Sequence, residues 1–189
     1  MIDYRKARYI ISAPSPSKAP KDGKPSILFI GRSNVGKSTL INSLTGQKIA
    51  YSSKKAGKTK LLNYFLIDDS FYLVDAPGYG STIYANLSTI NFAKMMEEYA
   101  KDNFLRGIVL LLDLRHPLGE DDKKFLSYLQ SLGKPLIYVV TKADLLNQSE
   151  LSKAKRLAGE YGIPEAIYSK GDKASLDSLK GKIAKLVGK

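Results

Sequence analysis

The stretch from Gly31 to Ser38 has the residue types and the spacing of a phosphate-binding loop. It matches the pattern G-x-x-x-x-G-K-[ST] at every fixed position. Backbone N–H groups in such a loop, together with the start of the helix that follows, attract phosphate groups. The pattern therefore predicts nucleotide phosphates here, with Lys37 also taking part in catalysis. The predicted contacts are Gly31, Arg32, Ser33, Asn34, Val35, Gly36, Lys37, Ser38 and Thr39.

A second motif supplies a carboxylate and a glycine. Asp75-Ala76-Pro77-Gly78 follows an apolar run and has the form D-x-x-G. Mg²⁺ takes only a few protein oxygens and keeps several waters, so the Ser38 hydroxyl and the Asp75 carboxylate are its predicted ligands. The Gly78 N–H is expected near the terminal phosphate. Without the phosphate loop, Asp75 would be read as an ordinary residue in a turn at the end of a strand.

A third motif indicates which base is bound. Thr141-Lys142-Ala143-Asp144 fits the form [NT]-K-x-D. An aspartate accepts hydrogen bonds from N1–H and the exocyclic amine of guanine, whereas adenine has no such pair of donors, and Lys142 can lay its aliphatic stem along the ring. Tyr168-Ser169-Lys170 is a weaker candidate for a backbone contact to the guanine oxygen, and its alternative is an ordinary strand-to-helix loop.

Alternating strands and helices must position these motifs. We predict strands near 27–31, 61–67, 71–74, 107–113, 135–140 and 166–168, and helices near 37–45, 92–101, 120–132, 150–161 and 176–187. The fold class is therefore α/β: a mainly parallel six-stranded sheet with one antiparallel edge strand and helices on both faces. Residues 1–25 form a basic arm with Pro and Ser, in which Tyr4, Tyr9, Ile10 and Ile11 can add an edge strand, and residues 26–189 form the nucleotide-binding domain.

Composition limits the classes of function. The 189 residues contain no cysteine and a single histidine, His116, which excludes disulfides, thiolate metal sites and sites with several histidines. We expect His116 to be structural or to lie at an interface. The longest apolar run, 108–112, is too short to cross a membrane, and we expect no signal peptide. A net charge of +12 indicates a polyanionic partner such as nucleic acid, with a merely lysine-rich surface as the alternative.

Taken in order and spacing, these motifs resemble one family of GTPases. To the three motifs are added Gly57-Lys58-Thr59-Lys60-Leu61-Leu62-Asn63 and Asp113-Leu114-Arg115-His116. Together they resemble the EngB (YihA/YsxC) family, which belongs with the TrmE, Era, EngA, EngB and septin-like P-loop GTPases. The resemblance covers nearly the whole chain, from about residue 9 to the last helix.

The resemblance carries functional expectations. It implies a cytoplasmic GTP-binding protein that acts in assembly of the large (50S) ribosomal subunit and is required for normal cell division and septation. Its partners would be rRNA and ribosomal proteins, without DNA specificity or a membrane, and the chain would be a monomer. GTP or GDP and Mg²⁺ would bind, with Thr59 of Gly57-Lys58-Thr59 completing the metal shell when the γ-phosphate is present. Asn34 would hold K⁺ beside the phosphates, against the alternative that it serves only the backbone shape of the loop.

Some residues depart from the family pattern, and they bear on the contacts of the segment after the D-x-x-G motif (switch II), not on nucleotide binding. Ala76 replaces a bulkier residue, Phe92 stands where the family usually has Trp, and 81–86 is less basic than expected. Tyr79 occupies the position after the D-x-x-G glycine, where a glutamine often orients the attacking water. We therefore predict slow intrinsic hydrolysis. The alternatives are a nucleotide-stabilised binding module with negligible turnover and a P-loop ATPase or small-molecule kinase.

Overall fold

The computed structural model describes residues 2–51, 61–79, 87–115, 118–163 and 165–189. The strands are β1 (Ala7–Ala13), β2 (Ser26–Gly31), β3 (Leu62–Ile67), β4 (Phe71–Asp75), β5 (Leu105–Leu112), β6 (Leu136–Val140) and β7 (Ile167–Tyr168). The α-helices are α1 (Lys37–Thr45), α2 (Leu87–Lys101), α3 (Glu120–Ser131), α4 (Gln148–Glu160) and α5 (Lys173–Leu186). Short 3₁₀ helices lie at Pro16–Lys18 and Ala143–Leu145.

In the part of the chain that the structure describes, one sheet contains seven strands in the order β1-β3-β4-β2-β5-β6-β7. Strands β4, β2, β5, β6 and β7 are parallel to their neighbours in this series, and β3 pairs antiparallel with both β4 and β1. The α/β class and the mainly parallel sheet are confirmed. The order reverses at β2, so the carboxyl end of β2 lies at the switch point where ligands bind in such sheets.

The sheet has one strand more than the predicted six, because β1 joins its edge. Ala7 and Ala13 are buried, but the residues from Arg8 to Ile11 are all exposed, so the segment lacks the alternation that predicts a strand. The register also shifts between Tyr9 and Ile11. The edge strand that the arm was expected to be able to add is therefore present.

A tight hairpin joins β3 and β4, as predicted from the sequence. Asp68 and Asp69 both have positive φ, at 46° and 51°. Two such residues form the type of turn whose twist suits antiparallel strands, and aspartate tolerates this conformation. The turn sets the register that pairs Asn63 of β3 with Asp75 at the end of β4.

Helices cover both faces of the sheet, as predicted. On one face, apolar residues of α1 and α5 pack on the sheet, including Ile41 and Ile183. On the other face, α2, α3 and α4 contribute Met96, Leu129 and Ala158. No helix within the described ranges is long and apolar enough to cross a bilayer.

Three helices begin earlier than their apolar spacing predicted. Helix α2 starts at Leu87 rather than near 92, and polar caps extend α4 and α5. Helix α4 starts at Gln148, where Asn147 and Glu150 form a reciprocal capping pair with distances of 3.0 and 2.8 Å. Helix α5 starts at Lys173, because the Asp172 carboxylate accepts the backbone N–H of Ser175 at 2.9 Å.

Candidate functional site

Strand β2 carries the phosphate loop to the centre of the sheet. All six residues of β2 are buried. The chain then turns through Asn34 and Gly36, whose φ values are 65° and 105°, and enters α1 at Lys37. The first N–H groups of a helix have no acceptor within it, so they are available to an anion. The predicted strand, loop and helix around the phosphate loop are confirmed.

Close packing explains the glycine that opens this loop. A Cβ atom on Gly31 would lie 2.7 Å from Val35 Cγ1 and 3.1 Å from Leu111 Cβ. Neither neighbour can move easily, because both Val35 and Leu111 are buried. Gly31 therefore lets the loop fold back tightly over the end of β5.

The D-x-x-G segment continues β4 along the phosphate loop. The N–H of Tyr79 donates to the Gly31 carbonyl at 3.1 Å, and the N–H of Ser33 donates to the Tyr79 carbonyl at 2.8 Å. Gly78 passes so close that a Cβ there would lie 3.0 Å from Ser33 Cα. The two motifs therefore form one continuous backbone surface.

The lysine predicted to bind phosphate and the carboxylate predicted to bind metal are paired with each other. Lys37 Nζ donates to Asp75, and the two side chains are only 11% and 6% exposed. A buried charge without a partner is costly. A phosphate chain with bound Mg²⁺ offers each side chain a partner of opposite charge. Lys37 can then bind phosphate and Asp75 the ion, so that neither charge is left unpaired.

The donors present suit magnesium bound together with a nucleotide. Ser38 is the second residue of α1, directly after Lys37, and Asp75, the ion-pair partner of Lys37, ends β4. Within the described ranges, no group of three or more His, Cys, Asp or Glu residues forms a metal cluster. Mg²⁺ in nucleotide sites typically uses one or two protein oxygens plus phosphate oxygens, which a hydroxyl and a carboxylate can provide. The residues therefore fit the ion.

The side chain of Tyr79 packs into an aromatic cluster. Its ring centroid lies 4.5 Å from that of Phe125 and 6.5 Å from that of Phe92, and only 5% of the residue is exposed. Burial raises the pKa of its hydroxyl, so the phenol stays neutral. Tyr79 thus joins the D-x-x-G segment to α2 and α3, which are the helices that contribute Phe92 and Phe125.

The guanine motif is bonded to the phosphate loop. The Thr141 hydroxyl donates to the Val35 carbonyl at 2.6 Å, and Lys142 Nζ donates to the Asn34 carbonyl at 3.0 Å. Lys142 has a φ of 58°, a left-handed conformation at the end of β6. The predicted phosphate and base contacts thereby meet at one end of the sheet.

The segment Tyr168-Ser169-Lys170, the weaker candidate for a contact to the guanine oxygen, also reaches this end of the sheet. The N–H of Ser169 donates to the Val140 carbonyl at 2.8 Å, and the Ser169 carbonyl accepts from the N–H of Ala143 at 3.2 Å. Ser169 is buried, whereas Asp144 and Lys170 are exposed. The loop after β7 therefore supports the backbone of the guanine motif and leaves the Asp144 carboxylate accessible.

Asp113 belongs to this site, although the sequence motifs did not place it among the predicted binding residues. Its carboxylate accepts from Lys142 Nζ at 3.1 Å and from two nitrogens of Arg115 at 2.8 and 2.7 Å. Arg115, and then Lys142, hold the pKa of Asp113 well below its usual range, against the opposing effect of partial burial. Its position directly after a buried strand is the sequence signal that could have identified it.

A second ion pair ties the phosphate loop to α3. Arg32 Nη1 lies 3.1 Å from Asp122 Oδ2, and the same carboxylate accepts the N–H of Gly119 at 3.1 Å. Spacing did not reveal this contact, because 90 positions separate the two residues. Arg32, Asp122, Tyr79, Asp113 and Lys142 all line one cavity of about 250 Å³ beside the loop.

Several predicted residues lie outside the described residues. These are Gly57, Lys58 and Thr59, expected to bind GTP and Mg²⁺, and His116. Their predicted roles stay predictions. Asn34, the predicted K⁺ ligand, is exposed, and its positive φ fits the alternative based on backbone shape.

Comparison with known proteins identifies the family. The family model described as 50S ribosome-binding GTPase matches residues 26–142. The probable GTP-binding protein EngB of Haemophilus ducreyi is 37% identical over 190 residues, which cover 96% of this chain and 90% of that protein. The chain belongs to the EngB family. The resemblance inferred from the motifs is thereby confirmed, and this GTPase family takes the place of the ATPase or kinase that the phosphate loop alone left open.

Solved structures agree with the EngB assignment at the level of the fold. The crystal structure of a probable GTP-binding protein EngB has a TM-score of 0.63 at 24% identity, and the match covers 86% of this chain and 98% of that one. Era, solved with MgGDPNP and a fragment of 16S ribosomal RNA, has a TM-score of 0.61 at 26% identity. The match covers 86% of this chain and 56% of Era.

Proposed function

We propose that this EngB-family protein is a slow, nucleotide-switched GTPase that acts in assembly of the large (50S) ribosomal subunit and thereby supports cell division and septation. The observation that carries the proposal is the bonding of Thr141 and Lys142 to the carbonyls of Val35 and Asn34. Because these bonds fix the base subsite relative to the phosphate subsite, guanine and phosphates are recognised together.

At the phosphates, each residue has a distinct role. Lys37 neutralises phosphate charge, and the backbone N–H groups of the loop and of Gly78 orient the γ-phosphate. Ser38 and Asp75 hold Mg²⁺, directly or through water, and Thr59 joins them when GTP is bound. The ion supplies charge stabilisation to the transferred phosphoryl group.

At the base, Asp144 accepts the two guanine donors, and its exposure leaves the carboxylate free to do so. Lys142 covers one face of the ring. Thr141, Ala143, Ser169 and Lys170 shape the loop around them, and the contact between Ala143 and Ser169 supports this arrangement. Adenine has an acceptor at N1 and lacks the exocyclic amine that guanine offers to the carboxylate. The Asp144 carboxylate would therefore lose both hydrogen bonds, and adenine is rejected.

Slow hydrolysis follows from the position of Tyr79. The side chain at the usual place of the water-orienting glutamine packs against Phe92 and Phe125. The Tyr79 side chain is therefore not the group that positions the water, and we propose that backbone groups, the ribosome or an ion do so. We propose K⁺ at the exposed Asn34 amide oxygen as that ion, and equal turnover in K⁺ and Na⁺ buffers would refute this part.

A ribosomal partner suits the charge of the chain and the description of its family. The net charge is +12, and the matching family is a 50S ribosome-binding one. Candidate contacts to rRNA phosphate are the basic clusters at 5–8, 54–60 and 180–189, of which 54–60 lies outside the described residues. Era, of which the match covers 56%, was solved with 16S ribosomal RNA. That complex supports contact with RNA by GTPases of this fold, and the choice of the large subunit rests on the family description. Action on the ribosome implies a cytoplasmic protein without DNA specificity.

A second candidate function is a nucleotide-stabilised ribosome-binding module with negligible turnover of its own. The burial of Tyr79 favours it, because this side chain is not free to orient water. Turnover measured with and without purified 50S particles separates the two candidates. A rate that stays at background in both cases supports the module.

The decisive experiment is cosedimentation of the full chain with 50S subunits. We expect association with a non-hydrolysable GTP analogue, weaker association with GDP, and a steep loss between about 50 and 200 mM salt as phosphate contacts are screened. Equal association in both nucleotide states would refute the switch. In cells, depletion should cause immature large subunits to accumulate in gradients, and a normal profile would remove the ribosomal role.

A further inference from the structure

The ammonium of Lys142 is held by two different elements. One hydrogen bond runs to the Asn34 carbonyl in the phosphate loop at 3.0 Å, and the other to Asp113 Oδ2 at the end of β5 at 3.1 Å. The carbonyl is a backbone atom that every sequence has at this place. The carboxylate is a side chain that this sequence supplies.

Asp113 is itself held in place. Arg115 donates to both carboxylate oxygens, which fixes the plane of the carboxyl group. The low pKa of Asp113 keeps the group charged throughout the physiological range. The Asp113 and Lys142 side chains are 21% and 31% exposed, so water screens this pair less than it screens a fully exposed pair.

A lysine stem needs such support to form one wall of a base pocket. A free lysine side chain has many rotamers, and ordering it on binding costs conformational entropy. When two acceptors hold its ammonium before the ligand arrives, that cost is met during folding. The main effect of such preorganisation is slower release of the ligand.

We propose that Asp113, oriented by Arg115, is a positioning residue for the guanine base and sets how long the nucleotide stays bound. It acts by fixing Lys142 as one face of the base pocket. This rests on the proposed function at one point, namely that Lys142 covers the guanine ring. The phosphate subsite is not part of its action.

The test measures release of mant-GDP by stopped-flow fluorescence from the full-length protein. Asp113→Ala should release the nucleotide about tenfold faster, since losing one charge-assisted hydrogen bond changes an equilibrium constant roughly ten- to hundredfold. Asp113→Asn keeps the size of the side chain and removes its charge. It should change release in the same direction, and it serves as the second variant if the alanine form folds poorly. The control is Asp177→Ala, which removes an exposed carboxylate on α5.

Inorganic triphosphate separates base positioning from damage to the loop. It contacts the phosphate subsite and has no base, so its inhibition constant against mant-GDP binding should be unchanged in both Asp113 variants once the altered mant-GDP affinity is accounted for. Equal weakening of triphosphate and nucleotide would overturn the proposal, because Asp113 would then act through the loop. Release at the wild-type rate in both variants would also overturn it. A wild-type protein that fails to bind mant-GDP would instead refute the proposed function.

Discussion

The close passage of Gly78 over the phosphate loop makes Gly78→Ala a sharp test of the site. A Cβ at this position would lie 2.9 Å from Ser33 Oγ, 3.0 Å from Ser33 Cα and 3.1 Å from Ser33 N. The hydroxyl can rotate away, but the backbone atoms cannot. The D-x-x-G segment must therefore move off the loop.

The magnitude follows from the contacts that such a shift disturbs. Overpacking of this kind costs about 1–3 kcal/mol. The shift also weakens the hydrogen bonds between Ser33, Tyr79 and Gly31, which hold the two motifs together. For a chain of this size, 1 kcal/mol corresponds to about 2–4 °C, so we expect the melting temperature to fall by roughly 2–12 °C. We also expect GTP turnover to fall at least about tenfold, because the Gly78 N–H leaves the γ-phosphate.

Thermal denaturation and phosphate release, measured on the same preparations, check both expectations. Gly181→Ala is the matched control, because a Cβ at this position in α5 meets nothing within 4 Å. The control should gain about 0.5–1 kcal/mol of stability, as alanine suits a helix better than glycine does. Wild-type stability and turnover in Gly78→Ala would show that the close approach is not required.

Three further predictions concern the groups around the site. Tyr79→Gln should leave turnover in a phosphate-release assay within about threefold of wild type while lowering stability, because the position faces the aromatic cluster; a tenfold gain in rate would contradict this. Asp122→Ala should lower the unfolding free energy in urea by about 1–2 kcal/mol, since a helix cap and an ion pair are lost together, whereas its exposed neighbour Asp121→Ala should cost less. Burial raises the pKa of Tyr64 to about 12, so its stabilising contribution is complete below pH 10 and is lost as the pH rises from 10 to 12. In urea titrations Tyr64→Phe should therefore be less stable than wild type at pH 8, where Tyr99 loses its hydroxyl partner, and the difference should shrink by pH 11; a constant difference would contradict the shift.

Spacing in the sequence was sufficient to predict the phosphate loop, the D-x-x-G segment and the guanine motif at one end of the sheet. Each motif follows a buried apolar strand, and the carboxyl ends of parallel strands meet at one edge. The bonds from Thr141 and Lys142 to the loop agree with this reasoning. The division of the chain at residue 25 stays a prediction.

Contacts between residues far apart in the chain could not be predicted. Arg32 and Asp122 meet only because α3 begins beside the loop, and no local pattern records that distance. The direction of Tyr79 depends on aromatic residues of two other helices. Strand β1 was only an option, because its exposed middle residues lack a period and its partner β3 lies about 50 residues away.

The pairing of Lys37 with Asp75 has a consequence for nucleotide exchange. When GDP leaves, the two buried charges satisfy each other, so the protein without nucleotide is not penalised by an isolated charge. We therefore expect the pairing to stabilise the nucleotide-free form, whereas replacing either side chain with alanine would leave its partner as an uncompensated buried charge.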